Sequence, residues 1–122
     1  MKKRYVVQIG MGVDQHGHRN NPTTAAIRAV KDAISNNCLP GIAEIIGLQR
    51  VEEMIVDVLI AAPFPEKMNE KEVLSSIPFG TKTLTAVKGG MVTQGLAVEA
   101  LNDTDGAILV ANASVTVSFD MK

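Results

Sequence analysis

Apolar and polar residues alternate near both ends of the chain, and a three- and four-residue spacing replaces that alternation after residue 22. Over residues 4–13, Tyr5, Val7, Ile9, Met11 and Val13 share one parity, while Val6, Gln8, Gly10 and Gly12 take the other. A period of two predicts a strand with one apolar face and one mostly small or polar face. Ile27, Val30, Ile34 and Cys38, flanked by Ala26 and Ala33, recur at helical spacing. They predict a helix from Thr23 to about Cys38, started by Asn20-Asn21-Pro22 and interrupted by Pro40-Gly41. Residues 42–47 fit a further helical turn or a connector.

Residues 50–62 alternate again, with Met54, Val56, Val58 and Ile60 on one face, and Pro63 and Pro65 end the run. Asn69 and Glu72 have the spacing of a capping box and open a short helix to about Ser76. Residues 81–88 predict a third strand, and Gly89-Gly90 a bend or bulge. Residues 91–102 fit either a hairpin extension or a helical turn, and residues 102–106 a turn. The clearest strand covers residues 107–119. Ala107, Leu109, Ala111, Ala113, Val115, Val117 and Phe119 lie on one face, with Ile108, Val110, Asn112, Ser114, Thr116 and Ser118 opposite.

This order of elements predicts one α+β domain over residues 1–122. The expected architecture is a two-layer sandwich, a four-stranded, mainly antiparallel sheet with two helices on one face. The other face, bearing Gln8, Gly10, Gly12, Asn112, Ser114 and Thr116, carries few long charged side chains. Its partial burial by another subunit is expected, as in a homo-oligomer whose sheets face each other.

The chain's 122 residues, 46% of them hydrophobic and 20% charged, suit a single soluble globule. Aromatic residues make up only 3%, which argues against a stacking platform for nucleic acid. A formal net charge of −1 gives no field that would draw in nucleic acid or an anionic membrane. Neither kind of partner is expected. No segment approaches the ~18 consecutive apolar residues of a membrane span, and residues 5–9 are too short for a signal peptide. The single cysteine, Cys38, has no disulfide partner, which fits a reducing, cytoplasmic setting. Its place at the end of an apolar stripe predicts a buried structural thiol.

Candidate chemistry concentrates at Gly10-Met11-Gly12-Val13-Asp14-Gln15-His16-Gly17-His18, which holds both histidines of the chain. Gly10, Gly12 and Gly17 strip bulk from the backbone, so that a ligand can approach closely. If the strand continues, Asp14, His16 and His18 project to one side. Asp14 and His16 would then suit a divalent zinc, manganese or iron ion, with His18, Asp103 or Asp105 as further ligands. Without metal, Asp14 would orient the tautomer of His16, making His16 a general acid or base. The following helix start and Arg19 suit a small anionic ligand. A solvated, purely structural loop is the alternative. Gln15 stands where a dinucleotide fingerprint needs its third glycine, so that motif is absent.

With Gly10, Gly12, Asp14, His16 and Gly17 in place, the chain resembles an uncharacterised conserved hypothetical family of bacteria and plants. That family's hallmark is an N-terminal G-x-G-x-D-x-H-G. The resemblance implies no established activity; by analogy its fold is chorismate-mutase-like or tubulin C-terminal-like. The run from Ile9 to His16 is also similar to the start of the cyclodiphosphate synthase of isoprenoid biosynthesis, as is Asp103-Thr104-Asp105 to a later segment of it. That likeness implies metal ligation by Asp14 and His16. The present chain is shorter, and no histidine follows His18 to serve as that family's third ligand. The expectation is therefore a conserved protein of unknown function, homo-oligomeric, with a ligand or catalytic site around the motif. The alternative is a non-catalytic assembly or ligand-binding protein with the motif at a subunit interface.

Overall fold

The computed structural model describes residues 1–96 and 106–121. Strand β1 (Lys2–Asp14) opens the chain, followed by helix α1 (Thr23–Ser35) and β2 (Ile55–Ala62). Helix α2 (Glu70–Ser75), β3 (Thr81–Lys88), β4 (Met91–Gln94) and β5 (Ala107–Asp120) complete it. The fold is α+β with an open, mixed sheet of five strands, in the order β1-β5-β2-β3, with β4 on β5. β5 is antiparallel to β1, β2 and β4, whereas β2 and β3 run parallel. The sheet has one strand more than the four expected: residues 91–94, where the sequence fits either a hairpin extension or a helical turn, pair with residues 107–110 of β5. The 102–106 turn falls largely outside the described residues.

Several boundaries move for local reasons. α1 stops at Ser35, where the Asn36 side chain donates to the Asp32 carbonyl oxygen at 3.0 Å. Cys38 lies beyond that end and is exposed, not buried. β2 begins at Ile55, because Glu53 caps a short helical turn (Val51–Glu53) by accepting the N–H groups of Gln49 and Arg50 at 2.9 and 2.7 Å. Those two bonds hold the Glu53 carboxyl below its ordinary range. Residues 42–46 form a single π-helical turn.

The largest correction concerns which face of β1 is covered. Helix α1 lies on the Gly10 and Gly12 side, and Val7, Ile9 and Met11 face outward, 50, 69 and 55% exposed. A Cβ on Gly10 would stand 2.3 Å from the Ala33 nitrogen, and one on Gly12 2.1 Å from the Ala25 oxygen. The two glycines therefore form a seat that lets helix and strand backbones touch. Ala25, Ala29 and Ala33 complete it from the helix side, one residue per turn. Tyr5 departs from the parity of Val7, because a register shift between Arg4 and Val6 turns it toward Phe119, ring centroids 5.9 Å apart.

Side chains of α1 also pair two backbone groups on the free edge of β1. Met11 N–H donates to Asp32 Oδ2 at 2.9 Å, and Arg28 Nη1 donates to the Val13 carbonyl at 2.7 Å. An edge strand otherwise presents unpaired backbone groups to any passing chain. The core then fills with Val56, Val58 and Ile60 of β2 and Leu109, Val115 and Val117 of β5, set against α1. No helix among the described residues is long and apolar enough to cross a membrane.

On the open face, Lys2 Nζ meets Asp57 Oδ2 at 2.6 Å, and Thr83 donates to Asp57 Oδ1 at 2.6 Å. The Lys2 bond, then the Thr83 bond, lower the Asp57 pKa. Beyond that end Val7, Ile9 and Met11 of β1 and Leu59 and Val87 of β2 and β3 are exposed on this face, with Asn112, Ser114 and Thr116 of β5 running between them.

If the glycines seat the helix, Gly12→Ala forces α1 off the sheet. It should lower stability by roughly 2–4 kcal/mol in urea unfolding. An unchanged midpoint would show that the helix does not rest on that backbone.

Candidate functional site

β1 delivers Asp14 to the rim of the sheet, on the side that α1 covers. The Asp14 side chain is completely buried, yet both carboxylate oxygens have partners. Oδ1 accepts the His16 backbone N–H at 3.1 Å, and Oδ2 meets Nδ1 of His18. A carboxylate facing a ring nitrogen at hydrogen-bond range requires a proton between them. In neutral His18 that proton sits on Nδ1, which leaves Nε2 as an acceptor.

The strand does not extend beyond Asp14. Gly17, His18, Arg19 and Asn20 all take positive φ, at 64, 40, 55 and 65°. Four successive left-handed residues curl the chain back, so His18 and not the backbone continuation approaches Asp14. Gly17 is required twice over. Its φ suits glycine, and a Cβ there would stand 2.6 Å from the Ala107 oxygen. Non-glycine residues at these angles are strained, and such strain collects at functional sites. The buried charge-assisted pair and the Gly17 contact hold it in place.

The structure thus brings Asp14 and His18 together through side chains, and Asp14 and His16 through the His16 backbone. His16 and Arg19 are exposed on the same turn. Gly10 and Gly12 lie beneath α1, which occupies the clearance expected for a ligand. Asp103 and Asp105 lie outside the described residues. Among the described residues no group of three or more His, Cys, Asp or Glu side chains is placed to hold a metal ion.

His18, about half exposed, borders a polar cleft of about 210 Å3 with Asn21, Thr23, Thr24, Asn69 and Glu72. One hydrogen-bond chain builds its wall. Asn21 Oδ1 accepts from the Thr23 N–H at 3.0 Å and the Thr23 hydroxyl at 2.6 Å, just before α1 begins. Thr23 Oγ1 in turn accepts the Asn69 N–H at 2.9 Å, and Asn69 Oδ1 accepts the Glu72 N–H at 3.1 Å, capping α2. Two helix starts are therefore tied together beside the imidazole. Sequence reasoning finds Asn21 and Asn69 as helix-start signals, but nothing in their spacing says that the two starts meet.

A family described as conserved hypothetical protein (Lin0512_fam) matches over residues 4–117. The chain belongs to the Lin0512 family. The family match runs from β1 into β5 and includes Asp14, His18 and the cleft wall. Among solved structures, this Lin0512 chain is similar to an FtsZ-like protein of unknown function from Nostoc punctiforme PCC 73102. Their TM-score is 0.88 at 49% identity, over 98% of each chain. No curated protein matches the chain. This is a conserved protein of unknown function, as is its structural neighbour.

Asp14→Ala should lower stability by roughly 2–4 kcal/mol, because it leaves two donors without their buried acceptor. Amide hydrogen exchange should quicken at His16 and across residues 17–21 more than in β5. Uniform quickening, or none, would mean that Asp14 does not fix this turn.

Proposed function

We propose that Asp14 and His18 form an acid–base pair serving a small polar ligand in the adjoining cleft. The observation that carries this reading is the wholly buried Asp14 carboxylate on His18 Nδ1, with the imidazole half exposed beside the cleft. A carboxylate behind an imidazole fixes its tautomer and stabilises it when it accepts a proton, so that Nε2 can accept or donate one. The start of α1 favours negative charge on that side, Arg19 is exposed on the adjoining turn, and Glu72 lines the cleft from α2. His16, exposed on the same turn, stands as a further candidate for proton transfer or binding.

The metal alternative puts zinc, manganese or iron on Asp14 and His16. An ion there would have to displace the N–H groups already on Asp14, which favours the metal-free reading.

A second reading concerns assembly, with Val7, Ile9, Met11, Leu59 and Val87 exposed on one sheet face as its support. Val7, Ile9 and Met11 form a row of large apolar side chains along an outer strand, a surface that a second copy can cover. We infer a homo-oligomer in which two such faces pack together, with the cleft on the helix side left open. The finer fold assignment, a two-layer sandwich of the tubulin C-terminal rather than chorismate-mutase type, belongs to this proposal. The FtsZ-like description of the Nostoc protein supports it. A cytoplasmic location fits the lone cysteine and remains part of the proposal.

Inorganic phosphate titrated into labelled protein should shift the amide signals of Thr23, Thr24 and Asn69 saturably, and His18→Ala should remove the response while keeping the fold. An undiminished response in His18→Ala would exclude the imidazole from the site. Near-stoichiometric metal in purified protein, lost in His16→Ala, would replace the acid–base reading with the metal one. For assembly, sedimentation should show at least a dimer that Ile9→Asp dissociates. A wild-type monomer at micromolar concentration would contradict the packed sheet faces.

A further inference from the structure

At the other end of α1 lies a second cavity, open to solvent, of about 370 Å3. It is distant from the Asp14 cleft: Gln8 on its floor is six residues from Asp14 along β1, or about 20 Å. Ile34 at the end of α1, Ile42 of the π-helical turn, Met54 and Phe79 contribute its walls. Gln8 and Asn37 are its polar lining residues, and no charged side chain lines it.

Gln8 points to a ligand. It sits on the covered face of β1, only 6% exposed, and lines the cavity. Its carboxamide makes no hydrogen bond to the described residues and is left facing the open cavity. An apolar residue would pack this floor without the desolvation cost of an amide. A site with apolar walls and one or two placed polar groups is the usual form of a small-molecule pocket, and its volume lies in that range.

We propose that this cavity binds a small uncharged molecule with an apolar body and one hydrogen-bonding head directed at Gln8. The carboxamide offers a donor and an acceptor side by side, so an amide or hydroxyl head satisfies it. A charged head would be desolvated without a counter-ion.

Cyclohexanecarboxamide and cyclohexanecarboxylate, alike in shape but different in charge at pH 7, are suitable probes in a heteronuclear NMR titration. The amide should shift the Gln8 side-chain NH2 signal and the Ile34 and Ile42 methyl signals saturably. The carboxylate should bind at least ~10-fold more weakly. Gln8→Leu should weaken the amide about fivefold by removing one hydrogen-bonding partner. Ala43→Phe, at an exposed position on the lining, should fill the space and abolish binding with the fold intact. This second variant decides the matter if Gln8→Leu does not fold. Three results would overturn the proposal: no saturable shift at millimolar amide, equal affinity for the carboxylate, or unchanged binding in Ala43→Phe. A Gln8 amide satisfied by water alone would give the first of these.

Discussion

The arrangement depends on one contact, the backbone of α1 lying directly on the backbone of β1 at Gly10 and Gly12. Distances of 2.1 to 2.3 Å from a notional Cβ leave no room for any side chain there. Alanines answer the glycines from the helix, so that the pair meets along a smooth seam. Once seated, α1 supplies Asp32 and Arg28 to the open edge of β1 and covers Asp14 at its end. The site turn and the edge protection are both consequences of that seam.

The seam also sorts the sheet into two unlike faces. On the covered side, β2 and β5 give their aliphatic residues to the core, and β1 gives Gln8, Gly10, Gly12 and Asp14. The large residues of β1 are left on the outside, on the same face as Leu59 and Val87 but across the polar row of β5. Burial of Asp14 would be costly for an isolated charge, but the His16 N–H and the His18 ring repay it with two hydrogen bonds. The strained turn from Gly17 to Asn20 is tolerated because those bonds and the Ala107 contact constrain it from both ends.

Much of this was legible in the sequence. Strands at 81–88 and 107–119, the helix starts at Asn21 and Asn69, and the importance of the Gly10 to His18 stretch all follow from spacing and residue type. The covered face of β1 was not legible, since period-two reasoning puts the larger apolar set inside. Here the helix needs closeness more than bulk, and glycine supplies closeness. His18 was named with Asp14 and His16 from the sequence, but which histidine side chain meets Asp14 was not legible. An extended chain would pair Asp14 with His16, whereas left-handed residues 17–20 bring in His18, and only Gly17 among them advertises such a conformation. Nor does any local pattern record that Thr23 and Asn69, 46 residues apart, share a hydrogen bond.

The most direct test of this account is the tautomer of His18, read from long-range 1H–15N correlations of the imidazole nitrogens. Where the ring is neutral, the account requires the proton on Nδ1 in the wild type and a loss of that preference in Asp14→Ala. A wild-type His18 protonated on Nε2, or one whose tautomer ignores Asp14, would contradict the buried pair on which the proposed chemistry stands.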